Sequence, residues 1–388
     1  MVNTALLTTA VQEYINANLD SDLKTLIFKK SPFLEVSMQE LVAQIQAKKI
    51  AFKKLPAYYN TANIVYPPKL NLEQASSQTT AIYKANLMSG QQAADLTGGY
   101  GIDSYFISKS FATLDYFEHS STLSQIAAHN FKQLGAHNIQ VHNQDGITGA
   151  QNSNYDWIYV DPDRRSTGEK AFRLNQCSPD LTQELTPLLK QTNQLLIKTS
   201  PILDIHQALQ DLPGVKEVHA LAVQGELKEL LFVIVRAKVS APLLKAVDCT
   251  TSKTNVLEAR YNAQPTATYG MPAKYLYIPN AAIMKLQLFG TVANTFALEK
   301  LHEHTHFYTS DTLVDFPGRV FTIKNVLGYN KKTMNSFTGT AALLIARNFP
   351  LTVAQLRKRW KLADKEGIYL IFTTLVDGNK VVLECELN

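Results

Sequence analysis

Apolar residues recur at helical spacing through residues 6–19, and a second helix is predicted from Ser37, followed three positions later by Glu40 in the arrangement of a capping box. Most of the first 85 residues carry patterns of this kind. Tyr66-Pro67-Pro68-Lys69-Leu70 interrupts them, because proline disfavours helix at its own position and at the residue before it. An extended linker is predicted there. From about Gln91 the pattern changes to short apolar runs at 93–96, 114–118, 139–142, 157–160 and 195–198, most of them a helix's length apart. Such alternation predicts a parallel sheet built from crossover units. Runs at 215–223 and 230–239, joined across Gln224-Gly225-Glu226, predict a closing antiparallel hairpin, and the block ends near Ser240 or Pro242.

A second set follows: a strand at 275–278, a helix over 280–301, a strand at 306–309, and a break at Pro317-Gly318. The remainder predicts a strand at 320–323, a helix from 336 or 338 to 347, and a basic helix over 352–363. Two strands, at 368–375 and 380–386, are turned by Asp377-Gly378.

Composition narrows the class. With 45% hydrophobic and 18% charged residues in 388, 17 Gly and 15 Pro, the chain is neither disordered nor collagen-like. The apolar run at 230–235 is far short of the ~20 residues of a membrane helix, and no basic region precedes an apolar one at the start, so a cytoplasmic location is expected. Cys177, Cys249 and Cys385 are too scattered for a disulfide framework or a metal pair. The net charge of +5 is concentrated: from Phe316 onward eleven Lys and Arg face five acids. That imbalance suits either a polyanionic partner or a solvated basic face.

The most informative stretch is Ala94-Asp95-Leu96-Thr97-Gly98-Gly99-Tyr100-Gly101-Ile102-Asp103. A strand ending in an acid and entering a glycine-dense turn before a helix lets backbone approach a ligand at the sheet's carboxyl end. Glu118 closes the second run, placed to accept hydrogen bonds from ribose hydroxyls. Asp145-Gly146 follows the third, and Asp161-Pro162 ends the fourth. An anionic rim of this kind suits a cationic adenosine cofactor without phosphates, which describes S-adenosylmethionine. The competing reading is that these acids cap the following helices.

Asp95-Leu96-Thr97-Gly98-Gly99-Tyr100-Gly101, Glu118, Asp145 and Asp161-Pro162-Asp163-Arg164-Arg165 resemble the ordered motifs of class I S-adenosylmethionine-dependent methyltransferases. More closely, the chain resembles a bacterial methyltransferase family with a ferredoxin-like insert and a C-terminal THUMP-like domain. Matching stretches are Glu73-Gln74-Ala75-Ser76-Ser77 with Tyr83-Lys84, Lys198 to Asp204, Gly225 to Glu229, Tyr277 to Asn280 and Phe316 to Arg319. The resemblance implies an α/β fold with a Rossmann-like seven-stranded methyltransferase sheet. The expected divisions are an N-terminal helical region (1–85), the methyltransferase domain (86–240), a ferredoxin-like domain (241–315) and a THUMP-like basic domain (316–388). It also implies cofactor contact by Asp95, Thr97, Gly98, Gly99, Gly101, Glu118, Asp145 and Gly146. In that assignment Glu118 holds the ribose, Asp145 the adenine amino group, and Asp95 lies near the methionine part.

Methyl transfer is an in-line displacement, so the site needs positioning and at most one base. Asp161 is the candidate for orienting or deprotonating the acceptor. Arg164 and Arg165 either hold a substrate anion by their guanidinium forks or pair with Asp161 and Asp163. Neither this loop nor Lys198-Thr199-Ser200-Pro201 holds the cysteine nucleophile that methylation at pyrimidine C5 requires. His302-Glu303-His304-Thr305-His306 spells a zinc-peptidase pattern, but it lies at a helix-to-strand junction with no third ligand nearby, so no metal is expected. Arg357, Lys358, Arg359 and Trp360 combine positive charge with an aromatic, a plausible contact for RNA phosphates and an unstacked base. On a helix Trp360 shares a face with Leu356 and is equally readable as core. The leading expectation is a methyltransferase acting on RNA. The alternatives are a protein or small-molecule acceptor, and a non-catalytic RNA-binding chain.

Overall fold

A computed structural model of the chain describes residues 3–151, 153–164, 173–250, 253–263 and 265–388. Its contacts divide it into two compact units, Met1–Lys216 with Leu230–Ser240, and Glu217–Glu229 with Ala241–Asn388.

The first unit is organised on parallel strands β1 (Gly90–Asp95), β2 (Phe111–Phe117), β3 (Ile139–His142), β4 (Tyr155–Val160) and β5 (Thr192–Thr199). They lie in the order β3-β2-β1-β4-β5, with β7 (Glu226–Val235) antiparallel to β5. β6 (Val215–Val223) runs into β7 through Gln224 and Gly225, whose φ values of 53° and 78° fit a tight primed hairpin turn. β1 begins exposed and ends with three buried residues, so its apolar end points its acid at the sheet's carboxyl edge.

Helices at the start of the chain belong to the same unit. Ser37 and Glu40 form the predicted capping box: Glu40 N–H donates to Ser37 Oγ, and Glu40 Oε2 accepts the Ser37 N–H at 2.8 Å. The pattern at 6–19 divides into a 3-10 turn, Thr4–Leu7, and a helix, Thr9–Ala17. The predicted linker is extended at Tyr66, Pro67 and Pro68, but Lys69 and Leu70 already open the helix Lys69–Gln74, and the run is no loose linker, because Ile64, Val65 and Tyr66 are buried. Its backbone finds partners in side-chain amides. Asn130 takes the Val65 N–H and donates to the Val65 carbonyl, and Gln44 does the same for Tyr66, at 2.8–3.0 Å.

In the second unit β6 pairs in parallel with β8 (Leu243–Cys249), which pairs antiparallel with β9 (Thr254–Arg260). A seven-stranded sheet follows, formed by β10 (Tyr275–Pro279), β11 (Glu299–Lys300), β12 (Tyr308–Ser310), β13 (Gly318–Gly328), β14 (Ala341–Ala346), β15 (Ala363–Thr374) and β16 (Lys380–Leu387). Their order is β11-β12-β10-β13-β16-β15-β14. The helix predicted over 280–301 is two short ones, Ala281–Leu286 and Phe289–Thr295, separated where Gln287 turns to a left-handed φ of 54°. The helix predicted up to 347 is corrected outright. Ala341-Ala342-Leu343-Leu344-Ile345-Ala346 is strand β14, parallel to β15, and the helix is the earlier Lys331–Ser336. Ala and Leu favour helix weakly, and pairing with β15 outweighs that preference.

Replacing Asn130 by Ala leaves the buried Val65 N–H without its acceptor. We expect a loss of about 2–3 kcal/mol in urea unfolding, and a variant within 0.5 kcal/mol of wild type would show that this amide is not what holds the segment.

Candidate active site

The turn after β1 is held by β2. Asp95 pairs in register with Tyr116. Gly98 lies so close to the Tyr116 ring that any Cβ would overlap it. Gly99, at φ 55°, donates its N–H to Glu118 Oε2 at 2.8 Å and accepts the Tyr116 hydroxyl on its carbonyl at 2.6 Å. Gly101, at φ 83°, precedes the helix Ile102–Ser108, where a Cβ would meet Phe131 at 2.6 Å. A Cβ on Gly99 itself would find nothing nearer than Thr97 O at 3.8 Å. The edge is open at that point, as a ligand lying on the turn requires.

The acids gather along this edge. Glu118 is buried, and its second oxygen accepts the Ser120 N–H at 2.7 Å. Asp145 is exposed and caps the short helix Gly146–Gly149 by accepting Thr148 N–H at 2.8 Å. One oxygen is thereby engaged in the capping role that the sequence also allowed. Gly146 permits close approach to Leu96, whose carbonyl would overlap a Cβ there. Thr97 ties β1 to β4: its N–H donates to Asp95 Oδ1 at 3.0 Å, and its hydroxyl oxygen accepts the Asp161 N–H at 2.7 Å.

Asp95 is 1% exposed, and its Oδ2 accepts the Ser104 hydroxyl at 2.5 Å. Burial pushes its carboxyl up to about 7 against those hydrogen bonds, and the nearby Asp103 and Asp161 add to the rise. A cation arriving beside it favours the ionised form. The donor set fits S-adenosylmethionine: a small-residue turn with open space above it, the carboxylates of Glu118 and Asp145 after neighbouring strands, and, among the described residues, no cationic phosphate cradle.

The structure adds residues to which sequence reasoning gave no role. Asp103, buried, accepts the Ser76 and Tyr159 hydroxyls at 2.8 Å each, and its Oδ1 lies 3.2 Å from the fully buried Lys84 ammonium. Burial opposes its ionisation, but the charges of Lys84 and Lys198 outweigh that and hold the carboxyl below its ordinary range. Lys198, at the carboxyl end of β5, forms an ion pair with Asp161 Oδ2. The usable sequence signals were charges at a strand's carboxyl end and within a helix that the fold buries; the pairing itself depends on side chains brought together from distant positions.

Asp161 is 35% exposed on its side chain. The backbone of Asp163 and Arg164 pairs antiparallel with Ser178 and Cys177, while the Arg164 side chain and Arg165 lie outside the described residues. The expected role of Trp360 needs correction. It sits in the core with Met334, Leu356 and Phe372 and donates its indole N–H to Tyr329 at 3.0 Å, which leaves no free face for a base. Arg357 is tied to Asp364 at 2.6 Å, whereas Lys358 and Arg359 are exposed. The helix carrying them, Val353–Trp360, shares its core cluster with Lys331–Ser336, whose Lys331 and Lys332 are also exposed. His302 to His306 form a turn in which His306 stacks on Phe289 at 3.6 Å. Among the described residues no three His, Cys, Asp or Glu are placed to hold a metal, and no helix is long and apolar enough to cross a membrane.

Comparison with known proteins brings three family models: protein-L-isoaspartate(D-aspartate) O-methyltransferase over residues 49–239, a ferredoxin-like domain over 275–317 and a THUMP domain-like model over 318–387. No curated protein matches the sequence. The crystal structure of a candidate methyltransferase from Porphyromonas gingivalis W83 aligns with 100% of this chain and 99% of its own, at 27% identity and a TM-score of 0.86. A candidate methyltransferase from Streptococcus mutans, solved with SAH, covers 42% of this chain and 97% of its own at 15% identity and a TM-score of 0.31. An rRNA methylase from Streptococcus thermophilus covers 41% and 96% at 11% identity and a TM-score of 0.31. The end-to-end match gives the whole chain the fold of the P. gingivalis protein.

A carboxyl whose pKa rises from about 3.9 when unfolded to about 7 in the fold stabilises the fold fully only below the lower value. That contribution is lost as pH rises through 7. Relative to wild type, cofactor-free Asp95→Asn should therefore gain stability by on the order of 1.4 kcal/mol per pH unit between 4 and 7. Urea unfolding at pH 5 and pH 8 measures this; the same wild-type-to-variant difference at both would refute the assignment.

Proposed function

We propose that this chain, which carries a methyltransferase domain followed by ferredoxin-like and THUMP-like domains, is an S-adenosylmethionine-dependent methyltransferase that modifies RNA by direct, non-covalent transfer. The observation carrying the cofactor is the edge where the Gly98-Gly99 turn, Glu118, Asp145 and Asp161 meet at the ends of adjacent strands. Glu118 would hold the ribose hydroxyls while its other contacts fix Gly99 and Ser120. Asp145 would take the adenine amino group on the oxygen its cap leaves available, and Asp95 would face the methionine part. The cofactor supplies a methyl carbon bonded to a positively charged sulfur. Around it the chain's work is to bind, to orient and to place Asp161 at the acceptor.

RNA as substrate is supported by the exposed Lys358, Arg359, Lys331 and Lys332 on two helices of the THUMP-like domain. A protein acceptor is the second reading, favoured by the match of residues 49–239 to a protein O-methyltransferase model.

Isothermal titration should show saturable binding of S-adenosylmethionine and S-adenosylhomocysteine, weakened at least tenfold, about 1.4 kcal/mol, by Glu118→Ala. Unchanged affinity would remove Glu118 from the ribose. Reversing Lys358 and Arg359 to Glu should weaken RNA binding and lower the slope of log affinity against log salt by about two. An unchanged slope would take RNA off this face.

A further inference from the structure

We infer that the methyl acceptor is a ribose 2′-hydroxyl, held by Asp161 and favoured by the Lys198 ammonium; the inference rests on the RNA methyl-transfer reading above. Lys198 is only 13% exposed on its side chain and is ion-paired with Asp161 Oδ2. Its charge also reaches Asp103, which is itself paired with Lys84. The Thr97 hydroxyl holds the Asp161 backbone N–H, fixing where the carboxylate points. Among the described residues, Asp161 Oδ1 has no hydrogen-bond donor. Among the described residues, the acceptor end of the site therefore offers one carboxylate oxygen with no donor beside a nearly buried cation.

This arrangement discriminates between nucleophiles. A nitrogen that attacks a methyl carbon becomes positively charged before it loses a proton, and a fixed ammonium opposes that. A hydroxyl gives up its proton and gains negative character, which the same ammonium favours. A carboxylate acceptor would meet Asp161 and the rest of an anionic edge as a like charge. A neutral hydroxyl donates to Asp161 instead. In the transfer, the hydroxyl oxygen bonds to the methyl carbon as the carbon–sulfur bond breaks and its electron pair stays on sulfur. The hydroxyl proton passes to Asp161 and then to water. Asp161 is the catalytic residue and Lys198 the positioning one.

The test uses the full chain with deuteromethyl S-adenosylmethionine and total bacterial RNA, followed by digestion to nucleosides and mass spectrometry. Label on ribose, together with alkali-resistant dinucleotides, is the expected result. Label on a base overturns the hydroxyl inference and leaves RNA methyl transfer standing. Label confined to protein methyl esters, or absent from RNA, overturns both. Lys198→Gln should lower transfer at least 100-fold while cofactor titration stays within twofold of wild type, and Lys198→Arg should recover much of the loss; undiminished transfer by Lys198→Gln would sink the role of the cation. A readout without turnover is equilibrium binding of an RNA carrying 2′-deoxyribose at the mapped nucleotide. Wild type should bind it about tenfold more weakly than the all-ribose RNA, and Asp161→Ala, which removes the acceptor oxygen, should not distinguish the two. Equal binding by wild type would overturn the contact.

Discussion

Both polar groups of the Gly99 peptide are held by the end of a single neighbouring strand, and the carboxyl edge is built outward from that grip. Tyr116 and Glu118, on and just after β2, take the carbonyl and the N–H of Gly99, while the Tyr116 ring occupies the volume that a side chain on Gly98 would need. The pairing of Asp95 with Tyr116 thus sets both the sheet register and the shape of the turn. A one-residue slip would move these side chains to the opposite face and dissolve the edge. Leu96 against Gly146 and Thr97 against Asp161 carry the same fixed geometry to the β3 and β4 ends.

Beneath this edge the charges alternate. Lys84, Asp103, Lys198 and Asp161 follow one another as cation, anion, cation and anion; Ser76 and Tyr159 donate to Asp103 Oδ2, and Ser76 also accepts from Lys84. Burying an ammonium as completely as Lys84 is costly unless each neighbour compensates. Asp95 stands outside the alternation, with hydroxyl and amide partners but no cation, which is why its proton is held so much more tightly than that of Asp103. The cluster also explains why Ser76 and Lys84, which precede the first strand, form part of the unit built on β1 to β5.

The first five strands were legible because each is an apolar run in a crossover unit, several of them ending in or beside an acid. Asp95, Glu118 and Asp161 mark the edge from sequence for the same reason. Less legible were places where a neighbour decides between two locally acceptable states. Ala341 to Ala346 is good helix sequence that becomes an edge strand because β15 offers its ladder. Trp360 is as compatible with a stacking role as with burial until Tyr329 accepts its indole proton. Lys84 and Lys198 carry no local sign of burial, and Asp103 and Asp161 supply the charges that make it tolerable.

Asn130 and Gln44 each bracket one residue of the chain just before Pro67, donating to its carbonyl and accepting from its N–H as a paired strand would. Two side chains thereby act as a two-residue strand, one reaching from the helix Met38–Lys54 and the other from Ser121–Gln133 within the α/β sheet layers. The covalent order helices, linker, sheet suggests a seam at the prolines where the chain could be cut into independent modules. The amides close that seam. A piece beginning at residue 86 would retain the glycine turn but expose Asn130 and lose Ser76 and Lys84, so the smallest autonomous form of the unit built on β1 to β5 begins well upstream of its first strand, and shuffling this domain between proteins would require its helical preface to travel with it.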